Sequence, residues 1–227
     1  MVIATGITAS GDREVLGLAV GDSEAETFWT EFLRSLRRRG LAGVRLVISD
    51  AHEGLKAAAR KTLQGASWQR CRVHYARNLL ALVPKGHQDV VAAALRTVFM
   101  HPNAEEISTA WDRTADMFNR QFPKVKVLMD AAKTDVLAFS AFPPDHWRKI
   151  WSNNPLERLN KEIKRRTNVV QIFPNNAAIV RLVGAVLAEQ HDDWATHRHY
   201  LSDASMAKLY PTRDTDTATG DSILAIT

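Results

Sequence analysis

The sequence predicts a mixed α/β protein interrupted by an all-helical insertion. Three observations carry this. Residues 1–74 run in the order strand, strand, helix, strand, helix, strand, the alternation of an α/β layer. From residue 75 to 150 the β-type runs stop, and helix-like segments follow one another, broken at Pro84, Pro102, Pro123 and Pro143–Pro144. The 227 residues are 45% hydrophobic and 24% charged, apolar enough for a sizeable core.

Each element has its own signal. Val2–Thr8 and Glu14–Val20 are rich in Val, Ile, Leu and Thr, and Ser10-Gly11-Asp12-Arg13 supplies the turn between two strands. The next segment is a helix with Phe28, Phe32, Leu33 and Leu36 as its apolar stripe. Acids fill its first turn, and Arg37, Arg38 and Arg39 fill its last before Gly40. Val44–Ser49 is a short apolar run of buried-strand type that ends on Asp50. A helix from Ala51 and a strand over Ser67–Ala76 complete the first part. After the insertion come two more helices, one beginning near Asn154 and one near Asn176, within residues 151–205. Residues 206–227 are rich in Thr and Asp and are expected to form a disordered tail.

Composition narrows the function classes. A net charge of +5 and a pI near 9.5 lean towards an acidic partner, with nucleic acid the usual one. A single cysteine, Cys71, rules out an internal disulfide framework and fits a reducing compartment. There is no signal-peptide pattern and no run of 18 apolar residues, so a soluble, cytoplasmic protein without a membrane partner is expected.

The candidate chemistry centres on two carboxylates. Asp50 ends an apolar strand, where ligands of α/β sheets gather. Glu157 heads a segment that also carries Arg158, Lys161, Lys164, Arg165 and Arg166. Asn154, Pro155 and Glu157 suit a helix start, with Asn154 as cap and Glu157 completing a capping box. Asp50-Ala51-His52-Glu53 has the same pattern. The alternative use of both carboxylates is to hold hard divalent cations, Mg²⁺ or Mn²⁺, beside a phosphate. Lys164 lies two helical turns after Glu157 on the same face, with Asn160 and Lys161 between, while Leu156, Leu159 and Ile163 fall opposite. Such a row suits a DNA backbone, though a solvated basic face has the same spacing. Cys71 and His74 lack the further ligands that zinc needs, and a buried Cys with a satisfied His is the default. Trp68, Trp147 and Trp151 suit base stacking or a core.

Three long stretches carry a resemblance. "REVLGLAVGDSEAETFWTEFLRSLRRRGLAGVRLVISDAHEGLKAA", "WQRCRVHYARNLL" and "NNPLERLNKEIKRRTNVVQIFPN" resemble the bacterial Mutator-type transposases of insertion sequences, in order and across about residues 2–210. The resemblance implies an RNase H-like catalytic core with a helical insertion. It also implies a triad of two Asp and one Glu that binds two Mg²⁺ or Mn²⁺ ions for cleavage and strand transfer of transposon-end DNA. Asp50 matches the second Asp and Glu157 the Glu after the insertion. Lys164 matches the basic residue downstream, and Cys71 and His74 match a Cys-x-x-His element near the site. A homo-oligomeric synaptic complex and a nucleoid-associated location follow from the same likeness.

One departure matters. The family's first Asp lies on a strand upstream of the segment matching Val2–Thr8, and Asp12, in a turn, is a poor substitute. The chain is therefore expected to be the carboxyl-terminal part of a transposase from a truncated or interrupted gene. Its sheet should lack the first strand, and it should be inactive alone. The rival expectation is a non-catalytic DNA-binding or assembly module, with the basic helix but no need of metal.

Overall fold

The computed structural model describes residues 1–22, 25–170, 172–197 and 199–209, and the backbone of 222–226. The chain divides into two units, Met1–Trp68 with Asn153–Thr227, and Gln69–Ser152. The helical insertion is thus wider than residues 75–150.

The first unit is a five-stranded sheet with helices on both faces. In β1 (Val2–Ile7) every residue is buried. Val2 and Ala4 join one core and Ile3 the other, the period-two split of a strand covered on both sides. β2 (Arg13–Ala19) pairs antiparallel with β1 through a turn in which Gly11 has φ +83°. α1 (Glu26–Arg38) buries Trp29, Phe32, Leu33 and Leu36. It stops where Gly40, at φ +110°, turns the chain in a conformation other residues avoid. Phe28, expected in the buried stripe, is only partly buried, and Trp29 takes the deep position. β3 (Val44–Ser49), α2 (Glu53–Thr62) and β4 (Ser67–Arg70) follow. α1 and α2 cover one face with Leu55, Ala58 and Ala59 from α2.

α8 (Asn154–Val170) and α9 (Asn176–Thr196) cover the other face. Leu156, Leu159 and Ile163 of α8 meet Val183, Val186 and Leu187 of α9 and Ile3 of β1. Each such side chain contributes about 2 kcal/mol on burial, so the stripe decides which face of α8 is left to solvent. A short helix, α10 (Asp203–Ala207), ends this part.

The expected disordered tail contributes a strand. β5 (Ser222–Ile226) lies between β1 and β3 in the order β2-β1-β5-β3-β4, antiparallel to β1 and parallel to β3. Its five residues, Ser-Ile-Leu-Ala-Ile, are a β-type run whose flanking Thr and Asp mask it in composition. No unpaired position is left between β1 and β3 among the described residues. Residues 210–221 and 227 of that tail lie outside the described residues.

The second unit is helical. α3 (Arg72–Leu80) replaces most of the strand expected over Ser67–Ala76, because Cys71, Tyr75 and Leu79 repeat every four residues and all are buried. α4 (Gln88–Val98), α5 (Ala104–Asn119), α6 (Pro123–Val136) and α7 (Pro144–Ile150) follow. Pro84 and Pro102 lie between helices, and Pro123 and Pro144 open theirs. Asn103 caps α5 by accepting from Glu106 N at 2.9 Å, while its amide donates to Glu106 Oε1 at 2.8 Å. Tyr75, Phe99, Trp111, Phe139, Trp147 and Trp151 form one aromatic cluster, with centroids 5.5 to 6.3 Å apart. No described helix is long and apolar enough to cross a membrane.

Candidate nucleic-acid interface

Asp50 follows directly on β3 and is half-buried. Its Oδ1 accepts from Ala51 N at 2.7 Å, a bond within the turn. It does not cap α2. His52 does, its Nδ1 accepting from Leu55 N at 3.1 Å. The capping-box reading of Asp50 to Glu53 is therefore corrected. His52 is extended at φ −127°, so the helix begins at Glu53 and Asp50 stands two residues outside the cap.

The start of α8 also differs from its expected form. Glu157 N donates to Asn153 O at 3.0 Å, so Asn153 holds the cap position and the helix begins at Asn154. With Asn153 as the cap, Glu157 stands at the fourth helical position, one place too far along for a capping box.

Glu157 lines an open cavity of about 470 Å³ with Asn154, Arg158, Asn160, Lys161 and Lys164. The spacing of four and then three residues sets Glu157, Lys161 and Lys164 on one face, opposite the buried stripe. Asp50 is not among the cavity's lining residues. Among the described residues, no three His, Cys, Asp or Glu are grouped to hold a metal ion. A second cavity, of about 310 Å³ between the β1–β2 hairpin and the end of α1, has Glu14 as its one carboxylate and none of the expected residues.

The cations of α8 divide into two sets. Arg158, Lys161 and Lys164 are exposed and line the cavity. Arg165 and Arg166 turn elsewhere. Arg165 binds Glu162 through two bonds of 2.9 and 2.8 Å. Arg166 binds Glu162 at 2.9 Å and Glu189 of α9 at 2.5 Å. The Arg165 and Arg166 guanidiniums draw the Glu162 carboxyl down to about 2. The spacing from Glu162 to Arg165 and Arg166 was legible as an intrahelical pair, but Glu189 had no sequence signal.

Cys71 and His74 belong to the second unit, with Cys71 fully buried at the start of α3. Arg72 lies between the rings of Phe99 and Trp151, 4.4 and 4.0 Å from their centroids. The tryptophans considered for base stacking serve packing. Trp147 is buried and donates to Phe142 O at 2.7 Å, and Trp68 donates to Ser49 Oγ at 2.9 Å beneath Lys56. Asp12 is tied to Ser10 at 2.8 Å and to His199 at 2.6 Å. The Ser10 hydrogen bond, against the opposing effect of burial and with help from His199, holds its carboxyl below the ordinary value.

Fold and site together define an α/β protein with one helix face that joins a carboxylate to a run of cations. Comparison with known proteins gives the family. The family described as "Transposase, Mutator family" matches residues 1–197, and the chain belongs to it. The chain is 53% identical over 200 residues to the transposase for insertion sequence element IS1081 of Mycobacterium tuberculosis, covering 88% of this chain and 48% of that protein. It is 42% identical over 203 residues to the transposase for IS406 of Burkholderia multivorans, covering 89% of this chain and 52% of that one. It is 37% identical over 203 residues to the transposase for IS256 in transposon Tn4001 of Staphylococcus aureus, covering 88% and 52%. The chain thus spans about half the length of the curated relatives it matches.

Proposed function

We propose that this chain is the part of an insertion-sequence transposase that holds transposon-end DNA along α8. The observation that carries the reading is the shared face of Glu157, Lys161 and Lys164 on one open cavity. Lys161 and Lys164 neutralise successive backbone phosphates, and Arg158 widens the positive strip at its start. Mg²⁺ or Mn²⁺ would supply the activated water and the leaving-group stabilisation of strand cleavage and strand transfer. Asp50 and Glu157 are the hard oxygen donors this chain offers them. A two-ion centre does not fit the donors present, since no three such ligands gather among the described residues. β5 brings none, because Ser222–Ile226 contains no carboxylate. The reading of this chain therefore stops at DNA binding and assembly on DNA, in an RNase H-like arrangement whose nucleolytic step needs more than these residues. Its place on nucleoid DNA and its pairing with further copies at transposon ends follow from the same reading.

The second reading, a non-catalytic DNA-binding or assembly module, is favoured by that incomplete donor set. A mobility shift across a salt series, followed by a denaturing gel in Mn²⁺, separates the two. The wild-type chain is expected to bind duplex DNA weakly, with affinity falling steeply as salt rises. Replacing Lys161 and Lys164 together by Ala should reduce the salt slope by about 2. An unchanged slope overturns the interface on α8. Nicking at a transposon end that Glu157→Gln abolishes would show a complete catalytic centre and remove the module reading.

A further inference from the structure

The row on α8 does not end at Lys164. Asn168 follows four residues later, at the same angle as Glu157, Lys161 and Lys164. It is exposed, and its side chain makes no hydrogen bond to a described residue. Val169 and Ile172 lie one and four positions further along the chain, 81% and 83% exposed, the two most exposed large apolar side chains among the described residues. The cationic track therefore runs on to an exposed amide near the end of α8, with exposed apolar residues following it in the chain. After Glu157 no acid lies on this face, because Glu162 sits to the side and is bound by Arg165 and Arg166. The charge on the track selects DNA as its occupant.

We propose that Asn168, with Val169 and Ile172 following it in the chain, reads an A·T base pair of the DNA held along α8. The proposal rests on the reading that this face binds DNA. The amide of Asn168 can donate to adenine N7 and accept from adenine N6–H, and the branched side chains meet the C5 methyl of thymine. The helix sets the distance. At about 1.5 Å per residue, Asn168 stands about 16 Å beyond Glu157, roughly five base pairs of duplex at 3.4 Å each. Phosphates contacted by Lys161 and Lys164 lie between and fix the register, and the base contact at the end supplies sequence information.

The test is selection from a randomised duplex by the 227-residue chain, followed by mobility shifts with the enriched and scrambled duplexes. The wild type should prefer A·T over G·C at one position by about tenfold, as one two-bond base contact gives. Asn168→Ala should reduce that preference to under about twofold while leaving the affinity for scrambled DNA and its salt slope unchanged. Asn168→Gln, which keeps the amide, should retain part of it. Ile172→Ala should weaken the preference and leave the sedimentation coefficient of the free chain as it was. Binding that persists without a base preference, or with one indifferent to Asn168, overturns this proposal and leaves the interface standing. A fall in oligomeric state with Ile172→Ala makes these apolar residues a protein contact and also overturns it. No DNA binding by the wild-type chain, or binding indifferent to Lys161 and Lys164, overturns the interface and the base reading together.

Discussion

Glu162 sets how much of α8's positive charge reaches solvent. It carries no role in the row itself, yet it occupies Arg165 and Arg166 through hydrogen bonds of 2.8 to 2.9 Å. Its carboxyl titrates at about 2, below the ordinary 4.5, so the pairs are fully formed at neutral pH and persist as pH falls until that value is approached. Glu162→Gln is expected to release Arg165, while Arg166 stays paired with Glu189. We predict tighter DNA binding at low salt and a salt slope steeper by about 1, read by the same mobility shifts; a slope equal to the wild type would mean Arg165 points away from the DNA. Gly11 is the other decisive residue. A Cβ there would stand 2.0 Å from Leu201 O, and φ is +83°. Gly11→Ala should destabilise the chain by several kcal/mol, combining left-handed strain of about 1–2 kcal/mol with the displacement of Leu201. Thermal melts check it, and an unchanged midpoint would show that the contact yields freely.

At the scale of elements, the legible features are those written in local periodicity. The stripe Leu156, Leu159, Ile163 and its polar opposite were readable from sequence, as was the buried run of β3, because each repeats at 3.6 or lies in one unbroken apolar stretch. What sequence missed depends on long-range partners. Cys71 starts a helix rather than continuing a strand, because Tyr75 and Leu79 find an aromatic core no local rule names. Asp50 lost its cap to His52, a residue seldom assigned that task. Gln69 is a further case. It is fully buried; its Nε2 donates to Val136 O at 2.8 Å, and its Oε1 accepts from Phe139 N at 2.7 Å. One side chain thus closes the carboxyl end of α6. Gln69→Leu keeps the volume and leaves a buried N–H and a buried carbonyl without their partner. The expected loss is about 2–4 kcal/mol in urea melts. A loss under about 0.5 kcal/mol would mean that water replaces both bonds.

For the whole molecule, the first unit is made of two segments that flank the second along the sequence. The sequence pattern changes near residue 75, whereas the second unit begins at Gln69. That boundary depends on packing, which no composition shift marks. The central place of β5 was hidden for a similar reason: five residues carry a weak signal, and only the pairing edges of β1 and β3 give them a fixed conformation. Ending the chain after residue 209 should leave those two edges open. The truncated protein is expected to aggregate on size exclusion and to lose its cooperative melt, while the full chain stays in solution. A truncated chain that elutes and melts like the full one would show that β5 adds nothing to the sheet.

The middle of this sheet is also the last part of it to be made. Ala4 pairs with Ile226, about 220 positions downstream. A ribosome adding roughly 5 to 20 residues per second needs about ten to forty seconds to travel from one to the other. For the greater part of that interval β1 and β3 are already made with no strand between them. A nascent chain cut short anywhere before residue 222 never receives it, so translation that stalls late in this message yields a product with two open edges rather than a slightly shorter protein.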